Sequence, residues 1–339
     1  MLKLSFILPC YNVAPYFGRC IESIEHQDIP QSEYEVICVD DCSKDNTVEV
    51  IKEYQKRYPN IRLICHTENK TAGGARNTAI DAAQGRYIWC VDPDDSIAPN
   101  VLKVLLSKAI TENLEILFFN FTYIEENGNK RKEEYRYIDM DIVVSGQDFI
   151  LSYCQQGMLR DITNHTCALF LRNYLEDKQI KYPIIRSSQD VIMIWNACLK
   201  ASKVSSTSKV CYNIIRRANS TTGSQGKLYA NNLISASLYY PYHIHQLKNQ
   251  LLSQLNDKLS MNFDEQLSYP LNILSRRIFL LSHSELKRFY KELQLHSEYV
   301  DVLRPYMSRK TRHIFGYVNP FICWLFIIYV YKIKSLLVK

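Results

Sequence analysis

The sequence predicts an α/β chain built on a parallel sheet with helices on both faces. Three observations carry this. In the first hundred residues, short apolar runs alternate with segments whose apolar residues recur at helical spacing. The short runs are continuously apolar, as in strands buried on both faces. Hydrophobic residues make up 47% and charged residues 22% of 339 positions, enough apolar material for a core. That composition excludes disorder, collagen or a coiled coil as the main state. At roughly 100–200 residues per domain, the length points to about two domains.

The elements follow in order. Leu4–Leu8 reads as a buried strand ended by Pro9, and Tyr16–Gln27 as a helix with Phe17, Cys20, Ile21 and Ile24 on one face. Glu35–Val39 is a second strand ending in Asp40-Asp41; Thr47–Tyr58 is a second helix, with Asp45 or Asn46 as its N-cap. Ile61–Cys65 is a third strand, Ala75–Ala83 a third helix, and Arg86–Val91 a fourth strand that stops at Asp92. A fourth helix has Pro99 near its first turn and Val101, Leu102, Leu105 and Leu106 facing inward. After Glu115–Phe119 the rhythm changes. Residues 125–136 are polar and read as a hairpin tip or loop, residues 145–222 mix helices and strands, and Tyr229–Leu303 is helical throughout.

Cysteine usage and charge narrow the setting. The 11 cysteines are scattered and odd in number, with no C-x-x-C pair, which suits a reducing compartment better than a disulfide framework or a zinc site. The amino-terminal apolar run is too short for a signal peptide, and no run reaches the ~20 apolar residues of a membrane-spanning helix. The net charge is +6. Val302–Lys339 holds seven bases and no acid, so the body is close to neutral. A nucleic-acid-binding body is therefore disfavoured. The tail bases flank Phe321–Tyr331, an apolar run with Trp324 that would span ~16 Å as a helix. Such a segment suits the surface of an anionic membrane; the alternative is a helix buried against the body.

Polar residues gather where an open parallel sheet binds ligands, at the carboxyl ends of its strands. Strand one ends in Pro9-Cys10-Tyr11-Asn12, strand two in Asp40-Asp41-Cys42-Ser43-Lys44-Asp45, and strand four in Asp92-Pro93-Asp94-Asp95. Acids at neighbouring strand ends repel one another. They serve as helix caps and solvated turns, or they bind a cation; D-x-D oxygens are hard ligands suited to Mg²⁺ or Mn²⁺. Gly73-Gly74 and Arg76 open the third helix, where close backbone approach, the helix terminus and a guanidinium favour an anion. A turn with a surface arginine explains them equally. Neither G-x-x-x-x-G-K-[ST] nor G-x-G-x-x-G is present, which disfavours a P-loop ATPase and a dinucleotide-binding fingerprint.

Five strings, in order, resemble the family 2 glycosyltransferases, inverting enzymes of the nucleotide-sugar GT-A fold and a frequent type in bacterial surface-polysaccharide synthesis. They are Phe6–Asn12, Val39–Thr47, Ala72–Asn77, Gly85–Asp95 and Gln189-Asp190, and the resemblance covers roughly residues 3–222. It implies a Rossmann-like GT-A sheet and a role for each matching residue. Pro9, Tyr11 and Asn12 would line the base pocket, and Asp41 would bond the base, typically uracil. Arg76 would face the donor ribose or phosphates. Asp92 and Asp94 would form the D-x-D element, one reaching the ribose and metal shell, the other the Mg²⁺ or Mn²⁺ itself. Asp190 would be the catalytic base; it also stands where a helix N-cap would. Asp40, Asp95, His165 and Gln189 are further candidate contacts to donor or acceptor. So are Arg217 and Ser220, in a segment like the family's loop over the diphosphate. The sequence departs from the family in three places: Gln189 stands where Glu is frequent, Pro93 fills the D-x-D turn, and Asn164–Phe170 lacks a lysine often found there.

These residue types suit the chemistry. Breaking the bond to a diphosphate builds negative charge that a divalent ion neutralises. The anomeric carbon becomes cation-like, and a carboxylate on the opposite face takes the acceptor proton. The implied organisation is a catalytic domain over 1–222, a helical extension over 223–303 and a membrane-association tail over 304–339. Within the catalytic domain, about 1–120 would bind nucleotide and about 121–222 acceptor. The implied enzyme is cytoplasmic, peripheral on the inner face of the membrane, with a nucleotide-sugar donor, typically a UDP sugar in the family's usage, and a glycan or lipid-linked acceptor. A sugar-nucleotide nucleotidyltransferase would share the sheet and metal, but it usually carries a glycine- and base-rich loop where Pro9–Asn12 stands. A non-catalytic glycan binder would be expected to lack Asp94 or Asp190.

Overall fold

The computed structural model describes residues 2–126, 130–134, 137, 139–140, 142–155, 164–185, 189–216, 234, 238–250, parts of 257–271, 281–308 and 312. Two compact units divide the chain, one formed by Met1–Ile184 with Gln189–Gln225, the other by Ile185–Ser188 with Gly226–Lys339.

The first unit begins as the sequence predicts. Strands β1 (Leu4–Cys10), β2 (Tyr34–Asp40), β3 (Ile61–Cys65) and β4 (Tyr87–Cys90) alternate with helices α1 (Ala14–Glu25), α2 (Thr47–Arg57) and α3 (Thr71–Ala82). These four strands are parallel, in spatial order β3-β2-β1-β4. The chain winds from β1 toward β3, then places β4 on the other side of β1. Connections leave β1 in opposite directions, which opens a crevice at the carboxyl ends. β1, β2 and β4 are buried over nearly their whole length, as expected of strands covered on both faces.

Beyond β4 the sheet becomes mixed. A two-residue strand β5 (Ser96–Ile97) and helix α4 (Leu102–Thr111) are followed by β6 (Ile116–Glu125), β7 (Lys130–Glu134), helix α5 (Gly146–Gln155), β8 (Ala168–Leu171), helices α6 (Arg172–Asp177) and α7 (Gln189–Lys200), and β9 (Val204–Arg216). β8 runs antiparallel to both β4 and β6, β9 runs parallel to β6, and β5 pairs antiparallel with β9. β7 pairs antiparallel with β6, so the polar residues 130–134 form a strand alongside it, in keeping with the expected hairpin. The parallel half that the first hundred residues predict is thus joined to a mixed half. The apolar runs at 116–121 and 168–171 are long enough to name strands but carry no sign of their direction.

Aromatic packing joins the halves. Trp89 on β4 stacks on Phe6 of β1 at 5.6 Å and meets Phe119 of β6 edge-on at 4.9 Å. In the second unit the described helices are α8 (Tyr240–Gln250), α9 (His283–Leu295) and α10 (Ser297–Leu303). Tyr242 of α8 stacks on Tyr299 of α10 at 3.7 Å, over buried Ile244, Leu286, Phe289 and Leu303. Among the described residues no helix is long and apolar enough to cross a membrane. The apolar tail run Phe321–Tyr331, like Arg217 and Ser220, lies outside the described residues.

Candidate functional site

The carboxyl ends of β1, β2 and β4 bring the polar strings together. After β1 the chain turns at Asn12, whose φ is 54°, a left-handed conformation that asparagine tolerates. Asn12 Oδ1 accepts from Lys44 N at 2.7 Å, and Asn12 N donates to Ser43 Oγ at 3.0 Å, so the loops after β1 and β2 lock onto each other. Thr47 Oγ1 accepts from both Val13 N and Ala14 N, while its own N–H donates to Asp45 Oδ1 at 3.1 Å. Asp45 thus supplies the cap bond of α2, although Asn46 is the residue at the boundary. Pro9 sits in β1, and Tyr11 beyond it is 44% exposed.

Asp40 and Asp41 are both buried. Asp41 Oδ1 accepts from His66 Nδ1 at 2.7 Å and from Lys70 N at 2.8 Å, and His66 Nε2 meets Thr78 Oγ1 at 2.9 Å. Asp40 Oδ2 accepts from Ser43 N at 3.1 Å, whereas its Oδ1 is buried without a hydrogen-bond partner among the described residues. Thr71, the first residue of α3, has φ 66°, which for a β-branched residue stores on the order of 1–3 kcal/mol of strain. Its loop delivers Lys70 N to Asp41.

Helix α3 starts four residues earlier than the sequence predicts, so Gly73 and Gly74 lie within its first turn. The reason is packing. A Cβ on Gly73 would stand 2.6 Å from Pro183 O, and Asn77, one turn further along, fixes the same segment by exchanging two hydrogen bonds of 2.8 Å with the backbone of Tyr182. Glycine's low helix propensity hid this start.

The acid turn after β4 is held from both sides. Arg76 Nη2 donates to Asp92 Oδ1 at 2.7 Å, and its guanidinium lies 5.4 Å from the centre of the Tyr182 ring. Burial works against the Arg76 charge, yet Asp92, Tyr182 and Cys90 carry its pKa above the ordinary arginine value. Its Nε and Nη1 are buried with no hydrogen-bond partner among the described residues. On the other side, β5 pairs Ile97 with Tyr212 of β9. The Tyr212 hydroxyl accepts from Asp92 N at 3.1 Å and donates to Asp95 Oδ2 at 2.9 Å, while Asp95 Oδ1 accepts from Ile215 N at 2.8 Å. Arg19 Nη2 donates to Asp94 O at 2.8 Å.

Carboxylate oxygens of Asp92, Asp94 and Asp95 lie within 4.8 Å of one another. Burial, then the Asp92 charge, raise the Asp95 pKa to about 7 against the pull of its hydrogen bonds. Three hard oxygen donors, one of them pushed toward its protonated form by burial and by the Asp92 charge, fit a divalent cation, which would relieve the repulsion.

Asp190 stands in the first turn of α7 with its side chain 36% exposed. His165, in a 3₁₀ turn between Asn164 and Ala168, is buried with Nδ1 3.9 Å from Asp190 Oδ2, an ion-pair distance beyond hydrogen bonding. Burial alone would raise the Asp190 pKa. His165, Arg76 and the Val191 N–H outweigh it and hold the carboxyl below its ordinary value. Gln189 is buried, with Oε1 lacking a partner among the described residues. Arg76 thus links the two acid groups, bonded to Asp92 and acting on Asp190. Sequence reasoning missed Arg19, His66, Tyr182 and Tyr212, each an ordinary residue in its own segment, joined to the site only by the fold.

The chain matches the family model described as "Glycosyl transferase family 2" over residues 5–177. It is 30% identical over 206 residues to a poly(ribitol-phosphate) beta-glucosyltransferase of Bacillus spizizenii, covering 60% of this chain and 31% of that protein, so it spans about a third of that relative's length. Among solved structures it is similar to residues 1–349 of Staphylococcus aureus TarS in complex with UDP-GlcNAc, with TM-score 0.65, 20% identity and coverage of 98% of this chain and 92% of that one. It is also similar to a mannosyltransferase of Pyrobaculum calidifontis in complex with GDP-Man and Mn²⁺, with TM-score 0.52, 16% identity and coverage of 96% and 87%.

Proposed function

From the premise that the chain belongs to glycosyl transferase family 2, we propose that it moves a sugar from a UDP-sugar donor, with inversion, to a hydroxyl of a surface-polysaccharide acceptor. One observation carries this: Arg76 joins the acid turn Asp92–Asp95 to Asp190 at the carboxyl ends of the strands. The names of the similar proteins support the finer choices. One uses a ribitol-phosphate polymer, one is seen with a UDP sugar, and one with Mn²⁺.

Each residue then has a task. Asp41, held by His66 and Lys70 N, stands at the strand end where the base would be read. Pro9, Tyr11 and Asn12 form the adjoining wall, with the exposed Tyr11 ring available to the base. Asp92 and Asp94, with Asp95 behind them, would hold Mg²⁺ or Mn²⁺, which when bound supplies charge neutralisation at the leaving diphosphate. Arg76 fixes Asp92 and adds a buried positive charge on the same side. Asp190 stays ionised below its ordinary titration range, at a partly exposed position, and takes the proton of the acceptor hydroxyl.

A panel of UDP-glucose, UDP-N-acetylglucosamine and UDP-galactose, each with Mn²⁺, Mg²⁺ or EDTA, tests the donor and metal. One donor is expected to release UDP only with a divalent ion, faster with poly(ribitol phosphate) present. UDP with Mn²⁺ at about 100 times its Kd is expected to stabilise the fold by about 2.7 kcal/mol, read as a raised Tm. No release and no Tm shift with any pair would overturn the proposal.

A further inference from the structure

His165 is an unusual buried histidine. Structural histidines in a core normally spend both ring nitrogens on hydrogen bonds, because an unpaired buried polar group costs about 1–3 kcal/mol. Here Nδ1 and Nε2 both lack a hydrogen-bond partner among the described residues. The turn that carries the ring is nevertheless fixed. Asn164 Oδ1 accepts from Thr166 N at 3.2 Å and from Thr166 Oγ1 at 2.6 Å, and the Thr166 carbonyl accepts from Trp89 Nε1 at 2.7 Å. The Tyr182 ring closes the other side, edge to face with the imidazole at 5.5 Å. Tyr182 is itself tied to α3 through Asn77 and donates from its hydroxyl to Cys90 Sγ at 3.3 Å. The turn that carries the ring is thus fixed, the Tyr182 ring covers one side of the imidazole, and Asp190 Oδ2 lies 3.9 Å from its Nδ1.

We propose that His165 is a positioning residue for Asp190: its buried imidazole holds the carboxylate in the orientation and charge state that accept the acceptor's proton. The proposal rests on the reading of Asp190 as the base. The short gap suits the role. Asp190 is partly exposed at the start of a helix, so its side chain can swing toward an acceptor hydroxyl and back toward Nδ1 while the histidine stays still. The groups that favour the ionised carboxylate are His165 from the 3₁₀ turn and Arg76 from α3, joined by the Val191 N–H of α7 itself. Tyr182 also faces it, and burial keeps that phenol neutral well beyond its ordinary range. α5 packs on the far end of α7, where Gly146 meets the Cys198 carbonyl; there Asp148 accepts from Ser145 Oγ.

The test is site-resolved, because the activity profile would also carry the titration of Asp95. Carbon-13 NMR of aspartate-labelled protein follows Asp190, identified as the signal missing from D190N. In H165F the Asp190 midpoint is expected to rise by about one pH unit, since the imidazole that faces the carboxylate and favours its ionised form is lost. UDP release from the donor found in the panel is expected to fall about tenfold, a modest share of a general base's contribution. UDP affinity is expected to stay within about twofold, as a group acting only on the chemical step leaves binding alone. H165N returns an N–H near the Nδ1 position without the imidazole ring. It is expected to restore part of the rate and leave the midpoint raised. The double variant D190N/H165F is expected to be no slower than D190N, since residues acting as a unit are not additive.

An unmoved Asp190 midpoint in H165F overturns the proposal, as does a moved midpoint at unchanged rate. If H165F does not fold, H165N decides in the same way by its midpoint. D190N with full UDP release overturns the base reading and this proposal together. D190N inactive beside an H165F of wild-type rate overturns this proposal alone.

Discussion

The two ends of the parallel strands treat buried charge in opposite ways. At the amino end, Glu35 at the start of β2 is buried and closed. Its Oε1 accepts from Ser5 Oγ at 2.7 Å and Gln84 N at 2.6 Å, and its Oε2 accepts from Arg62 Nη1 at 2.6 Å. Arg62 also caps α3 through Ala82 O, and Ser5 Oγ accepts from Gly85 N at 2.8 Å, where a Cβ would meet the backbone of β1 at 2.5 Å. At the carboxyl end, Asp40, Arg76 and Gln189 each keep a buried polar atom without a partner among the described residues. Three acids there crowd within 4.8 Å, and the backbone is strained at Thr71. A satisfied network stabilises a fold; an unsatisfied one stores free energy that a ligand can release. Similar residue types serve stability at one end and, in the proposed function, binding at the other, and the difference is whether the partners lie within the chain.

The comparison can be broken experimentally, the largest effect first. Asp94→Ala should lower metal-stimulated UDP release by about a thousandfold, the scale of losing transition-state charge stabilisation. Its Tm should stay within about 2 °C of wild type, because relieving repulsion offsets the lost contacts. A collapse of Tm would place the carboxyl end on the structural side.

Glu35→Ala should do the reverse. It leaves Arg62, Ser5 and Gln84 N without their acceptor and should cost roughly 3 kcal/mol in urea denaturation. The rate per folded molecule should change by less than about twofold, as expected for a residue that takes no part in the chemical step. A slowed enzyme of normal stability would show that the two ends are coupled.

Asp95→Asn sharpens the contrast through pH. The folded chain keeps the Asp95 proton up to about 7, whereas the ordinary value is 3.8. Between these values the folded state binds the extra proton, so stability falls as pH rises and the penalty is complete above about 7. Without metal, the amide should therefore be more stable than wild type at pH 8 by about 2 kcal/mol, roughly half the nominal linkage, and show little difference at pH 4. Wild-type stability that is flat across this range would remove the crowding argument.

How much of this was legible follows from where the information resides. β1 to β4 and the helices between them were readable within a few residues, because continuous apolar runs and helical spacing are local properties. The glycines of α3 were read as the turn before a helix, since Gly73's reason for being small is Pro183, more than a hundred residues away, while Gly74 makes room for the Lys70 side chain. Asp40, Asp41, Asp92, Asp94, Asp95 and Arg76 stood out because acids and an arginine at strand ends have no local explanation. Tyr212 and Tyr182 did not stand out: a tyrosine in a strand and another in a loop are unremarkable until β5 pairs with β9 and Asn77 fastens the loop.

The sequence by itself determined the α/β rhythm, the strand ends that carry acids and the identity of Asp190 as the candidate base. The first two are properties of types and spacing along the chain; Asp190 is marked by the resemblance of its string to the family. Only the tertiary structure decided that the sheet turns mixed after β4 and that Arg76 bonds Asp92. It alone decided that His165 faces Asp190. Strand direction, ion pairing and burial depend on contacts between segments far apart in sequence, and no local pattern encodes which distant partner will arrive.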